Sequence, residues 1–275
     1  MFTRIFQFAY GRFVKKIFFC FDPEATHDFV VRFGQFLGRH KITTALTRVV
    51  FCREDKRLRQ NILGISFPNP IGLSAGFDKN ALLTNILPEV GFGFIEVGSI
   101  TAEPCGGNPR PRLWRLPKLR SLVVNYGLKN DGREAVAARL RGKQFSIPIG
   151  ISIAKTNCLA AADPDTAIAD YVKTLQTMAG IGSYDTINIS CPNAYGGQPF
   201  TDSQLLDRLL QATDAVETGK PAFLKLSPDL TRDELNKIIE VSRRHRIRGF
   251  ISTNLTKSRA GIEDASIPPK GGLSG

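Results

Sequence analysis

From about residue 61 onward, short apolar runs rich in β-branched residues alternate with stretches whose apolar positions recur at helical spacing. The runs cover 70–76, 92–99, 147–154, 184–190, 221–227 and 248–254, and each ends in Gly, Ser, Thr, Asn or a similarly small residue. Helical patterns lie between them, among them 131–141, 164–180 and 231–245. This alternation predicts right-handed βαβ units and a parallel sheet. The runs are nearly continuously apolar, as strands covered on both faces must be.

Two α/β architectures fit the rhythm: a doubly wound open sheet or a (β/α)₈ TIM barrel. The first strand-to-helix turn, "GLSAGFDKN", lacks the GxGxxG of a dinucleotide-binding unit. Polar residues sit at the C-terminal ends of the strands, where barrel enzymes build their sites. The sheet is therefore either open or that of a (β/α)₈ TIM barrel with about six of its eight units present. The long interval 100–146 predicts a lid or substrate loop beside a helix.

The first 52 residues read differently. Phe2, Ile5, Phe6, Ala9, Phe13, Ile17 and Phe18 recur at helical spacing, interrupted by Arg4, Arg12, Lys15 and Lys16. No uninterrupted run approaches the ~20 residues of a membrane-spanning helix. A second helix is predicted to open with Asp22 as N-cap, Pro23 in its first position and Glu24 in its first turn. Its apolar face carries Phe29, Val30, Phe33, Phe36 and Leu37. Two short amphipathic helices with basic flanks resemble an element lying in a membrane interface, and equally a hairpin packed on its own domain. The division expected is a helical segment over 1–52 and a barrel over 53–275.

Charge sharpens this picture. The chain carries a formal +12, and residues 1–60 hold twelve Lys/Arg against five Asp/Glu, a local +7. Such a segment suits an anionic partner; its phenylalanines and lack of a nucleic-acid-binding fold favour lipid over nucleic acid. Five cysteines without CxxC spacing argue against a disulfide framework or a zinc site. His27, His40 and His245 lie far in sequence from every glycine-rich turn, which argues against a Ser-His-Asp triad or a histidine metal cage.

The strand ends offer Ala75, Gly76, Asp78 and Lys79; then Ser99; then Asn188, Ser190, Cys191 and Asn193; then Lys225 and Ser227; then Thr253 and Asn254. Singly, each has an ordinary structural explanation as rim charge, turn residue or buried filler. Jointly, one strand register places them at one mouth. Two lysines, several amides and a thiol suit a planar, electron-poor heterocycle bearing carbonyl and carboxylate groups.

These residues resemble a known family. "NPIGLSAGFDKN" (69–80), "GFGFIEVGSIT" (91–101), "PRLWRLP" (111–117), "INISCPN" (187–193), "FLKLSPDLT" (223–231), "STNLT" (252–256) and "GGLSG" (271–275) look like dihydroorotate dehydrogenases. These are FMN-dependent (β/α)₈ barrels that oxidise dihydroorotate to orotate in pyrimidine synthesis. "FFCFDPEATHDF" resembles the start of the quinone-dependent, membrane-associated class 2. The resemblance implies that Ala75, Gly76, Phe77, Asp78, Lys79, Ser99, Ser152, Asn188, Lys225, Thr253 and Gly275 contact FMN. It implies substrate contacts from Lys79, Asn125, Tyr126, Gly127, Leu128, Asn188, Asn193, Asn254 and Leu255. Cys191 falls at the position of the catalytic base. It further implies a quinone acceptor, a peripheral position on the cytoplasmic side of the cell membrane, and neither a metal nor nucleic acid.

The chain departs from the family pattern in four ways. Cysteine as base typifies the soluble class 1, which leaves a fumarate- or NAD-linked enzyme as the alternative acceptor reading. Val124 stands where a substrate asparagine is usual, with Asn125 next to it. Ser152 stands where a flavin-contacting asparagine is usual. The two further strand-helix units that hold the FMN phosphate in the family are not in this sequence, so the chain by itself is expected to retain FMN poorly. An inactive, membrane-docking fragment is the remaining alternative.

Overall fold

The computed structural model describes residues 7–262 and 267–275. Phe2, Ile5 and Phe6 of the expected first amphipathic stretch lie outside the described residues. Strands β1 (Gln60–Ile62) and β2 (Ile65–Phe67) form an antiparallel hairpin. Then come β3 (Gly72–Leu73), β4 (Phe94–Ile100), β5 (Leu113–Leu116), β6 (Ser121–Val124), β7 (Ile149–Ile153), β8 (Tyr184–Asn188), β9 (Ala222–Leu226), β10 (Ile247–Ser252) and β11 (Gly272–Ser274).

Six of these form one sheet in the order β3-β4-β7-β8-β9-β10, with every pairing parallel. Spatial order follows chain order without a reversal. A doubly wound sheet must reverse at its switch point, so the winding is that of a barrel. Each of the six predicted runs overlaps one of these strands, and four contain theirs entirely. β3 is the shortest, because "SAGFDKN" turns away from the sheet immediately after it.

Between the strands run α5 (Gly132–Leu140), α6 (Pro164–Met178), α7 (Ser203–Asp214) and α8 (Arg232–Ser242). Each of the last three starts on a side-chain cap: Asp163, Asp202 and Thr231, the last with Glu234 in a reciprocal capping box. The core lies between sheet and helices. Ile95, Val97, Ile149, Ile151, Ile153, Ile187 and Leu224 meet Leu140, Tyr171, Leu175, Met178, Leu206, Leu209 and Ile238.

The other face of the sheet lines the barrel interior. Two glycines make room there for rings. A Cβ on Gly72 would stand 2.2 Å from the Phe94 ring, and one on Gly150 would stand 2.2 Å from the Tyr184 ring. Phe67 of the hairpin packs edge-on against Phe94, with centroids 5.4 Å apart, at the N-terminal ends of the strands.

At the opposite end the interval 100–146 supplies a flap as well as α5. β5 and β6 form an antiparallel pair, and β11 joins β6 on its other edge. Residues near 272 thus complete a sheet begun near 113, a pairing too short and distant for periodicity to disclose.

The N-terminal region contains a π-helical turn (Tyr10–Val14), α1 (Lys15–Phe19), α2 (Pro23–Leu37) and α3 (Lys41–Phe51), the last an addition to the two helices expected. Asp22 caps α2 as expected, accepting from the Ala25 N–H at 2.8 Å. Of the two alternatives for the apolar face of α2, packing on the domain does not cover its phenylalanines. Glu24 and Val31 are buried, whereas Phe29, Phe33 and Phe36 are exposed. Helix α2 reaches the barrel through Gly34, where a Cβ would come within 2.8 Å of Leu83. Helix α3 is tied to α4 (Leu87–Val90) by Arg48 and Glu89, 3.1 Å apart.

Candidate active site

The C-terminal ends of the strands open into a cavity of about 510 Å³ beneath the flap. This is within the usual range for small-molecule sites. Its wall includes Ala75, Gly76, Phe77 and Lys79 after β3, and Gly98 and Ser99 of β4. Asn188, Cys191 and Asn193 come from the end of β8, Lys225 from β9, and Asn254 and Leu255 from beyond β10. The flap contributes Leu113, Leu122 and Val124, and the turn after it Tyr126, Gly127 and Leu128.

A hydroxyl–amide chain crosses the floor. Ser99 Oγ and Ser152 Oγ lie 2.8 Å apart, and Asn188 Nδ2 donates to Ser99 Oγ at 2.8 Å. Asn188 Oδ1 accepts from the Ser190 N–H and hydroxyl. Asn254 Nδ2 in turn donates to the carbonyl and hydroxyl of Ser190 at 3.0 and 3.1 Å. Three strands are thereby locked at their upper ends, and each amide orientation is fixed by the next.

A second amide cluster holds the flap to the loop after β8. Asn193 Nδ2 donates to the Val124 carbonyl at 2.9 Å, and Asn108 Nδ2 donates to the Asn193 carbonyl at 3.1 Å. Asn108 also donates to Asn125 Oδ1 and accepts from Asn157 Nδ2. Substrate-sized ligands would therefore meet a loop whose position is set by flap and barrel together.

The charged groups are desolvated. Lys79 places its ammonium 4.1 Å from the Tyr126 ring centroid, and burial, with Lys129 nearby, draws its pKa down to about 8. Burial pushes the half-buried Cys191 thiol above its ordinary value, while the Asn193 N–H and the Lys155 charge pull the other way. His27 Nε2 lies 2.9 Å from the Phe77 carbonyl, and burial and then Lys79 lower its pKa.

Some expected contacts are placed differently. The Asp78 carboxylate turns from the cavity and accepts the Leu82 and Leu83 N–H groups, each at 2.8 Å. Ser152 lies fully buried beneath Ser99. Asn125 accepts from Asn108 Nδ2 at 3.1 Å behind the flap, whereas Val124 lies on the cavity wall. Thr253 is exposed, its hydroxyl donating to the Asn254 carbonyl. Gly275 falls outside the wall, which Ser274 reaches instead.

His27 was not expected there. It lies on the cavity wall because α2 crosses the loop after β3, a contact that no spacing in the sequence encodes. Arg112 and Glu24 were also missed: they pair behind Tyr126, with Arg112 5.3 Å from its ring.

Sites at this end of parallel β/α barrels are enzyme sites in essentially every characterised case, and the cavity defines the chain as a barrel enzyme. The sequence pattern of the family described as dihydroorotate dehydrogenase matches residues 57–275. The chain is 37% identical over 257 residues to a "dihydroorotate dehydrogenase (quinone)" of Synechococcus sp. (strain JA-3-3Ab), covering 92% of this chain and 68% of that one. It is 36% identical over 267 residues to an enzyme of that name from Thermus thermophilus, covering 94% and 75%. Two solved structures of the dehydrogenase from Eimeria tenella, one with ferulenol and one ligand-free, superpose with TM-scores of 0.79 and 0.80 at 29% identity. Each covers 92% of this chain, and 72% and 75% of theirs. The chain belongs to the dihydroorotate dehydrogenase family.

Proposed function

We propose that this chain oxidises dihydroorotate to orotate with FMN as the hydride acceptor and a membrane quinone as the final electron acceptor, in pyrimidine nucleotide synthesis. The observation that carries the reading is the convergence of Lys79, Asn188, Cys191, Asn193, Lys225 and Asn254 on one cavity from the ends of β3, β8, β9 and β10. The kinship to enzymes named for the quinone supports it.

The residues fit a flat cofactor. Gly76 lies on the wall at φ +108°, and a Cβ there would meet no atom within 4 Å, so bare backbone faces open space. Ala75, Gly76, Ser99, Asn188 and Lys225 would hold FMN, which when bound takes up the hydride from the substrate. Lys225, buried at 6% exposure, contributes positive charge on that side. Lys79 pairs with the substrate carboxylate, and Asn188, Asn193 and Asn254 orient its ring amides. Cys191 takes the proton from the ring carbon beside the one that loses hydride.

Residues 1–52 are assigned to the membrane and quinone side and 53–275 to the barrel. Phe29, Phe33 and Phe36 form an exposed stripe along α2, and Ile42, Leu46 and Val49 form one along α3. Arg32, Arg39 and Lys41 lie among them. No described helix is long and apolar enough to cross a membrane. Peripheral attachment to the cytoplasmic face of the cell membrane suits this arrangement.

The test is dihydroorotate oxidation by the full-length protein and its Cys191→Ala variant at neutral pH, with a ubiquinone analogue, fumarate or NAD as acceptor. Turnover with the quinone alone and its loss in the variant are expected. Unchanged turnover in the variant would remove Cys191 from the reaction, and preference for fumarate or NAD would overturn the quinone assignment.

A further inference from the structure

The loop after β7 brings a buried cation to the side of Cys191 facing away from the main cavity. Lys155 is only 4% exposed. Its Nζ donates to the Ala161 carbonyl at 2.8 Å and to the Tyr195 carbonyl. Neither acceptor carries a formal charge, so these bonds hold the ammonium in place without neutralising it. Lys155 and Cys191 line one cleft of about 10 Å³ with Tyr171, Asn188 and Phe200. That space admits about one water molecule, too little to screen a charge. Cys191 is therefore a shared wall, with the substrate cavity on one side and Lys155 on the other.

We propose that Lys155 is a positioning residue for Cys191: a carbonyl-held ammonium that favours the thiolate and, through Tyr195, fixes the loop carrying it. The inference rests on the reading of Cys191 as the proton acceptor. The groups facing the thiol are Lys155 and Lys225, which favour its ionisation, Cys105, which opposes it, and the Asn193 N–H. Those facing Lys155 are Cys191, Cys158 and Asp170. The Asp170 carboxylate is already engaged by the Thr156 N–H and hydroxyl.

The experiment follows iodoacetamide modification of Cys191, read by mass spectrometry of its own peptide, across pH in the resting protein without substrate. Lys155→Met is expected to slow modification near neutral pH by about tenfold, the equivalent of one unit in the thiol pKa, and Lys155→Arg to restore it. An unchanged rate in a folded Lys155→Met protein would overturn the proposal. Should that variant not fold, Cys191→Ser serves, with the Lys155 ammonium followed by NMR. Its titration should move to lower pH when the thiolate is lost, because coupling between two sites is mutual. An unmoved titration would overturn the proposal as well. Neither readout involves turnover, so the pairing can fail while Cys191→Ala still abolishes activity, or hold while the reaction assignment fails.

Discussion

Glu24 and Arg112 meet at 2.7 Å with side chains only 5% and 6% exposed, joining the first turn of α2 to the edge of the flap. Arg110 and Lys129 reach the same carboxylate oxygen at 3.1 and 3.5 Å. Arg112 also donates to the carbonyls of Gly106 and Asn108, and Asn108 holds the Asn193 loop. One buried pair therefore connects the N-terminal helices, the flap and the loop after β8.

Breaking that pair should be costly. Glu24→Ala leaves the Arg112 charge buried without its partner, a change of about 3–5 kcal/mol in comparable cases. Urea unfolding of the variant should show a markedly lower midpoint with an unchanged slope. An unaltered midpoint would mean that water replaces the carboxylate.

Acid should erase the same difference. Burial alone would raise the Glu24 carboxyl, but the hydrogen bonds from Arg112 and Arg110 outweigh it and hold the pKa at about 2 against an ordinary 4.5. A depressed carboxyl stabilises the fold fully above its unfolded value. That contribution is lost as pH falls from about 4.5 toward 2. The gap in urea midpoint between wild type and Glu24→Gln should therefore narrow steadily over that window.

Turnover should have opposed limbs in pH. As the proposed proton acceptor, Cys191 must be a thiolate, and burial places its pKa above the ordinary value, so kcat should climb from neutral into alkaline pH. Lys79 loses its charge above about pH 8, so KM for dihydroorotate should rise there. Lys79→Met should flatten the KM limb and leave the kcat limb in place. A single limb common to both parameters would contradict the division of roles.

The barrel interior makes a steric prediction. Gly150 lies in extended β7 without a positive φ, so its lack of a side chain serves space alone. Gly150→Ala would force its Cβ against the Tyr184 ring, which itself packs on Phe223 with centroids 5.4 Å apart. Overpacking of this kind costs about 1–3 kcal/mol. Thermal unfolding should show the loss, and Gly150→Ala combined with Tyr184→Phe should not fully recover it, because the ring remains.

For the membrane, Phe33→Glu should reduce flotation with anionic vesicles while leaving the barrel's unfolding midpoint near wild type. Phe33 is 51% exposed and stacks on Phe29, with centroids 6.1 Å apart. Equal flotation of the two proteins would remove the α2 stripe from the docking surface.

The six barrel strands were legible because a strand covered on both faces carries mostly apolar or small residues, as Ile149–Ile153, buried throughout, does. The site followed from them, because a strand's polarity fixes which end its following loop occupies. Lys79, Asn188, Cys191, Lys225 and Asn254 needed no further information to be grouped. The short strands of the flap carried no comparable signal: β11 finds the distant β6 through three paired positions, Gly272↔Val124, Leu273↔Val123 and Ser274↔Leu122.

Sequence alone determined the winding rhythm, the polar strand ends and the amphipathic N-terminal segment, since each is a local periodicity or a fixed offset along the chain. Tertiary structure alone decided which face of α2 turns inward and that His27 joins the cavity. It likewise decided that Asp78 serves a turn, and that Lys155 lies behind Cys191. Those outcomes depend on contacts between segments far apart in sequence, where burial and electrostatic pairing choose among side chains that the local pattern treats alike.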